Sequence, residues 1–152
     1  MHSEPDIQLK RIGVGYDGGP ESDAALELAG SMACAGGELH VRAVVDDRVP
    51  VLLKSALAGL VATEWTDVVA QEQQRLHDQA LAAAEATGAT VNVEVLRGRP
   101  ADALLALSRE VDLLVIGSRR WGTTARVLLG STGEALLPDA DCPVLAVPRP
   151  QG

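Results

Sequence analysis

Four consecutive apolar residues, Leu113-Leu114-Val115-Ile116, constrain this chain more than any other feature. The run is too short for a buried helix and shows no polar alternation, so it reads as a strand covered on both faces. Such a strand belongs in a parallel sheet with helices on either side. It is expected to stop at Gly117, and the polar, glycine-bearing stretch behind it ends in Gly130-Ser131-Thr132-Gly133-Glu134. Ser131 and Glu134 stand three apart just ahead of Ala135-Leu136-Leu137, the spacing of a capping box, which predicts a helix from Ser131. The unpaired N–H groups opening that helix face the loop that leaves the strand. Together they make an anion site without any charged side chain, and phosphate is the natural ligand.

The remaining segments repeat the alternation of strand and helix. Met1 to Leu9 is polar and reads as a disordered tail before a single domain over residues 10–150. Ile12, Val14 and Tyr16 alternate with glycines up to the turn Asp17-Gly18-Gly19-Pro20, which predicts a first strand. Pro20 suits a first helical turn, and Ala24, Ala25, Leu28, Ala29, Met32 and Ala33 follow at helical spacing up to Gly36-Gly37. Leu39, Val41, Ala43 and Val45 mark strand two. Pro50 to Val61 is unevenly apolar, consistent with a short helix in a long connection. From Glu64 to Thr87 the positions Val68, Val69, Leu76, Ala80, Leu81 and Ala84 describe an amphipathic helix stopped by Gly88. Val91, Val93 and Val95 give strand three, and Gly98-Arg99-Pro100 opens a helix bearing Ala103, Leu104 and Leu107. After the central strand and its loop, Pro138 ends the last helix. Cys142 to Pro148 is a proline-bracketed fifth strand, and its prolines put it at a sheet edge. The order predicts an α/β fold: one doubly wound, Rossmann-like domain with a five-stranded parallel sheet, order 3-2-1-4-5, and helices on both faces.

Composition removes several functions. A net charge of −8 opposes attraction to nucleic acid or an anionic membrane, and with Tyr16, Trp65 and Trp121 as the only aromatics there is no stacking platform for single strands. No apolar run approaches the length of a membrane span and no secretory signal opens the chain, so a cytoplasmic location is expected. Cys34 and Cys142 match no metal or redox spacing and read as packed thiols, while His2, His40 and His77 are too scattered to suggest a metal cluster. Arg97, Arg99, Arg119, Arg120 and Arg126 nevertheless gather around the glycine loop, a local positive region suited to a small anion.

In an open parallel sheet, ligands bind beyond the carboxyl ends of the strands where the winding reverses. With order 3-2-1-4-5 that point lies between strands one and four, which brings Asp17 to the loop running from Gly117 to Gly130. Asp17 accepts hydrogen bonds and suits a ribose hydroxyl or a base amino group; it is equally the turn former of an Asp-Gly pair. Gly117, Gly130, Ser131 and Thr132 likewise have local explanations as a strand terminator, a helix-boundary residue and caps. Gly13-x-Gly15-x-x-Gly18 matches the dinucleotide pattern to the letter, but no strand precedes its first glycine, so the match reads as chance. No Gly-x4-Gly-Lys-Ser/Thr loop is present.

These residues resemble the universal stress protein family. Its ATP-binding members carry Gly-x2-Gly-x9-Gly-Ser/Thr after strand four, and this chain shows Gly117-x2-Arg120-x9-Gly130-Ser131, with the second glycine replaced. Val14-Gly-Tyr-Asp17-Gly18 followed by Ser22 and Ala25, Gly98-x-Pro100, and Asp112-Leu-Leu-Val-Ile-Gly117 are similar to further family markers. The resemblance implies a flavodoxin-like fold, a homodimer through the fifth strand Val144–Val147, a role in stress response, and ATP, AMP or a cyclic nucleotide as ligand. It also implies site residues: Asp17 at the adenosine, the backbone of Val44 at adenine, Ile116 and Gly117 along the nucleotide, and Gly130, Ser131 and Thr132 at the phosphates. Arg120 then weakens the site, clamps the phosphates or blocks them.

Three functions compete on this reading. The first is a nucleotide-binding regulatory module, the second a slow ATPase, and the third a dimeric interaction protein that has lost its nucleotide. No general base with a matching acid stands out and no carboxylate pair is evident for magnesium, so no catalytic and no metal-binding residue is assigned and an enzyme is not expected.

Overall fold

The structure is a computed structural model that describes residues 9–33, 36–45, 62–121, 126–128 and 130–148. Residues 1–8 of the expected tail, Cys34 and the expected short helix over 50–61 lie outside the described residues. The elements are β1 (Arg11–Tyr16), α1 (Pro20–Ala33), β2 (Glu38–Val45), α2 (Ala62–Glu85), β3 (Thr90–Arg97), α3 (Pro100–Ser108), β4 (Leu113–Trp121), β5 (Arg126–Leu128), α4 (Gly130–Leu136) and β6 (Val144–Pro148). The parallel sheet runs β3-β2-β1-β4-β6, which is the expected order with β6 as the predicted fifth strand.

Two observations correct the expectation for the stretch after the central strand. β4 continues past Gly117 to Trp121 and folds back as an antiparallel hairpin, with Arg119 opposite Leu128, Arg120 opposite Val127 and Trp121 opposite Arg126. A polar sequence reads as a loop, yet pairing across the hairpin satisfies its backbone groups as well as solvent would. The helix begins at Gly130, one residue before the predicted cap Ser131.

Alternation along β4 shows why its sequence is continuously apolar. Leu114 and Ile116 enter one core with Leu104, Leu107 and Leu136, while Val115 enters the other with residues of α1 and α2. Helices therefore cover both faces. The Val115 face holds Ile12, Val14 and Tyr16 of β1 against Ala25, Leu26 and Ala29 of α1 and Leu76, Ala80 and Ala84 of α2. Val68, expected on the apolar stripe of α2, is instead 52% exposed, because the stripe that meets the sheet runs through Val69, Leu76, Ala80 and Ala84.

Glycines set the opposite face of β1. A Cβ on Gly13 would lie 3.0 Å from Leu107 Cδ2, and one on Gly15 would lie 2.9 Å from Leu104 Cδ1, so both admit α3 close to the strand. Here is the physical reason for the dinucleotide-like spacing: Gly13 and Gly15 sit inside a strand under a helix. Of these three glycines, Gly18 has a turn conformation, with φ 83°.

Candidate functional site

The turn between β1 and α1 is built on Asp17. Its Oδ1 accepts from the Gly19 N–H at 2.8 Å and lies 2.8 Å from the Ser22 hydroxyl, which accepts from the Asp17 N–H at 3.3 Å. The Ser22 Oγ is also 3.0 Å from the Gly19 carbonyl, so its one proton has two acceptors within reach. Asp17 is thus a turn former, as its local explanation requires. Its side chain is nonetheless exposed and stands on the wall of a cleft, with Oδ1 as the oxygen engaged by the turn.

That cleft lies over the carboxyl ends of β1, β2 and β4 and encloses about 730 Å³ including its open mouth. Of the residues singled out from the sequence, Asp17, Val44, Ile116, Gly117 and Thr132 all line it. Val44, Leu104, Ile116 and Pro100 give it an apolar section suited to a planar ring. Thr132 and Gly133, at the start of α4, lie beyond β4. Gly130 and Ser131 open the same helix, and their side-chain surroundings, with that of Arg120, lie outside the described residues. The backbone of Arg120 is extended in the hairpin ladder, a conformation open to any residue.

Gly117 has a role that spacing alone did not disclose. A Cβ there would lie 2.7 Å from the carbonyl carbon, 2.8 Å from the Cβ and 2.9 Å from the carbonyl oxygen of Glu21. The first turn of α1 therefore rests directly on β4 at Gly117. Glycine at 117 lets α1 and the Asp17 turn sit close against β4, and the strand does not end at it.

Tyr16, Glu21, Arg42, Pro100 and Leu104 are among the lining residues that carried no functional assignment from the sequence. The Tyr16 hydroxyl, buried behind the turn, donates to Asp23 Oδ1 at 2.7 Å. Burial, and then the neighbouring Asp23 carboxylate, hold its pKa well above the usual tyrosine value, so it stays protonated at neutral pH. Period-two alternation could have found Arg42, since it shares a face of β2 with Val44. Among the described residues no group of His, Cys, Asp and Glu is arranged to hold a metal ion, and no helix is long and apolar enough to cross a membrane.

The profile of the universal stress protein family matches residues 8–148. A universal stress protein of Methanocaldococcus jannaschii is 30% identical over 148 residues, covering 93% of this chain and 84% of its own length. A relative from Mycolicibacterium smegmatis is 32% identical, and this chain spans 46% of its length. Among solved structures, hypothetical protein MJ0577 superposes with a TM-score of 0.73 at 21% identity, over 95% of this chain and 99% of that one. A universal stress protein crystallised in complex with cAMP superposes with a TM-score of 0.59 at 26% identity, over 93% and 98%.

Proposed function

Because the chain belongs to the universal stress protein family, we propose that it is an adenine-nucleotide-binding regulatory module of the stress response, acting as a homodimer with ATP as its ligand. The observation that carries this reading is the convergence of Asp17, Val44, Ile116, Gly117 and Thr132, drawn from separate parts of the sequence, on one cleft at the winding reversal. In this reading the base occupies the apolar section beside Val44 and Leu104, the ribose meets the free oxygen of Asp17, and the phosphates lie against the N–H groups of Gly130, Ser131 and Thr132. The related protein in complex with cAMP supports an adenine nucleotide as the class of ligand.

Binding rather than turnover is the assigned activity. Asp17 Oδ1 is engaged by the Gly19 N–H and the Ser22 hydroxyl, which suits a positioning carboxylate better than a proton acceptor. The dimer would form through β6, an edge strand that pairs only with β4 among the described residues and leaves Leu145 37% exposed. An uncovered apolar edge of that kind invites another chain.

Two measurements test the reading. Freshly purified protein is denatured and any released nucleotide identified by chromatography and mass, and ATP, AMP and cAMP are titrated calorimetrically against the native chain. Binding of at least one of them is expected. No released nucleotide and no heat with any of the three would leave a non-nucleotide member of the fold. For the dimer, Leu145→Lys should yield monomer by light scattering, and a parent protein already monomeric at micromolar concentration would remove the β6 interface.

A further inference from the structure

Arg42 is the one basic side chain among the described residues that line the cleft, and its bonding is incomplete in an informative way. Its Nη1 donates to the Ala103 carbonyl of α3 at 3.2 Å. Its Nη2 is shared by two carboxylates, Glu94 Oε2 and Glu110 Oε2, each at 3.1 Å and each on an exposed side chain. The remaining donor, Nε, is buried and has no acceptor. An arginine needs acceptors for its whole fork, and a buried N–H without one carries a desolvation penalty. The two N–H groups of Nη2 thus have a carboxylate each, while the single N–H of Nε has no acceptor.

The position of Arg42 determines which part of a ligand could complete it. It stands two residues before Val44 on the same strand face, about 7 Å away, and it is bonded to the residue before Leu104. That is the apolar section over β2, on the far side of β1 from Thr132 and Gly133. A phosphate group would lie at the other end. What the apolar section can offer Nε is therefore an acceptor on a planar base. Glu94 and Glu110 hold Nη2 from exposed side chains, which can follow the guanidinium as Nε turns toward the cleft.

We propose that Arg42 is a specificity residue of the cleft: on ligand binding its Nε donates a hydrogen bond to a ring nitrogen of the bound adenine. The inference rests on the nucleotide reading above, and the experiment separates the two. ATP and its 1-deaza, 3-deaza and 7-deaza analogues, each with one ring nitrogen replaced by carbon, are titrated against the parent protein, Arg42→Lys and Arg42→Gln. Lysine keeps a cation for Glu94 and Glu110 and removes Nε. Thermal melting without ligand reports the structural contribution of each change separately. Arg42→Lys is expected to weaken ATP roughly tenfold to a hundredfold, the range for a hydrogen bond involving a charged group. One deaza analogue should suffer the same loss on the parent protein and then bind parent and Arg42→Lys alike. A purely structural arginine would lower affinity for all four nucleotides by one factor, and that outcome overturns the proposal. So does ATP binding to Arg42→Lys at parental affinity. Should both variants fail to fold, the parent series can still overturn the proposal, because equal binding of all four nucleotides shows that no ring nitrogen is read. A parent protein that binds none of the four refutes the nucleotide reading itself, a result distinct from any of these.

Discussion

The chain contains two glycine patterns, and they behave in opposite ways. Gly13-x-Gly15-x-x-Gly18 reproduces a dinucleotide fingerprint without a fault, yet Gly13 and Gly15 face Leu107 and Leu104 of α3 in the middle of a packed strand. Gly117-x2-Arg120-x9-Gly130 departs from its family pattern at the second glycine, yet its Gly117 lines the cleft on which the functional reading rests. Even there, Gly117 is required first by the Glu21 backbone of α1 and only then by any ligand. Glycine spacing shows where two pieces of backbone come close. It does not say whether the visitor is a helix, a strand or a nucleotide.

One methyl group added to each pattern should have very different costs. At Gly117 the new Cβ meets backbone atoms of Glu21 that cannot rotate away, so Gly117→Ala should destabilise the fold by about 3 kcal/mol, the upper range for overpacking. At Gly15 it meets the side-chain tips of Leu104 and Ile116, and Gly15→Ala should lose about 1 kcal/mol. Urea denaturation of both variants measures the difference, and equal losses would mean that the first turn of α1 yields more readily than its backbone position implies.

Asp17→Ala sharpens the comparison on the ligand side. Removing the carboxylate should weaken ATP by about 1–3 kcal/mol through the lost charged hydrogen bond. The turn loses its bonds to the Gly19 N–H and the Ser22 hydroxyl at the same time. Calorimetric titration beside a melting curve separates the two losses, and unchanged affinity would place the ligand elsewhere. The smallest expected effect belongs to Arg120→Gly. Arg120 is accommodated in the extended ladder opposite Val127, so its backbone is unstrained and glycine relieves nothing there. A gain of a few-fold in ATP affinity at fixed salt would show that the arginine side chain hinders the loop, and a loss would show that it clamps the phosphates.

Much of this molecule is legible before any coordinates. Leu113–Ile116 reads as a strand buried on both faces, and Leu114 and Val115 indeed enter opposite cores. Pro20, Gly88 and Pro100 punctuate α1, α2 and α3 where they are observed. The proline-bracketed strand lies at a sheet edge, paired only with β4 among the described residues. Each of these depends on interactions between neighbours in the chain or on a repeat of two or of three to four residues, so the letters alone carry it. The hairpin after Gly117 was not visible in that way, because its polar residues carry no period and pairing between Arg119–Trp121 and Arg126–Leu128 is a backbone property. Nor were the reasons for Gly13, Gly15 and Gly117, which lie in α1 and α3. Arg42 could be assigned to a strand face, but its surroundings come from Glu94, Ala103 and Glu110, far along the chain. Local periodicity and punctuation determined the elements and their order. Which side chains share a cleft, and which polar atom is left there without a partner, depended on contacts between distant segments that only the folded sheet creates.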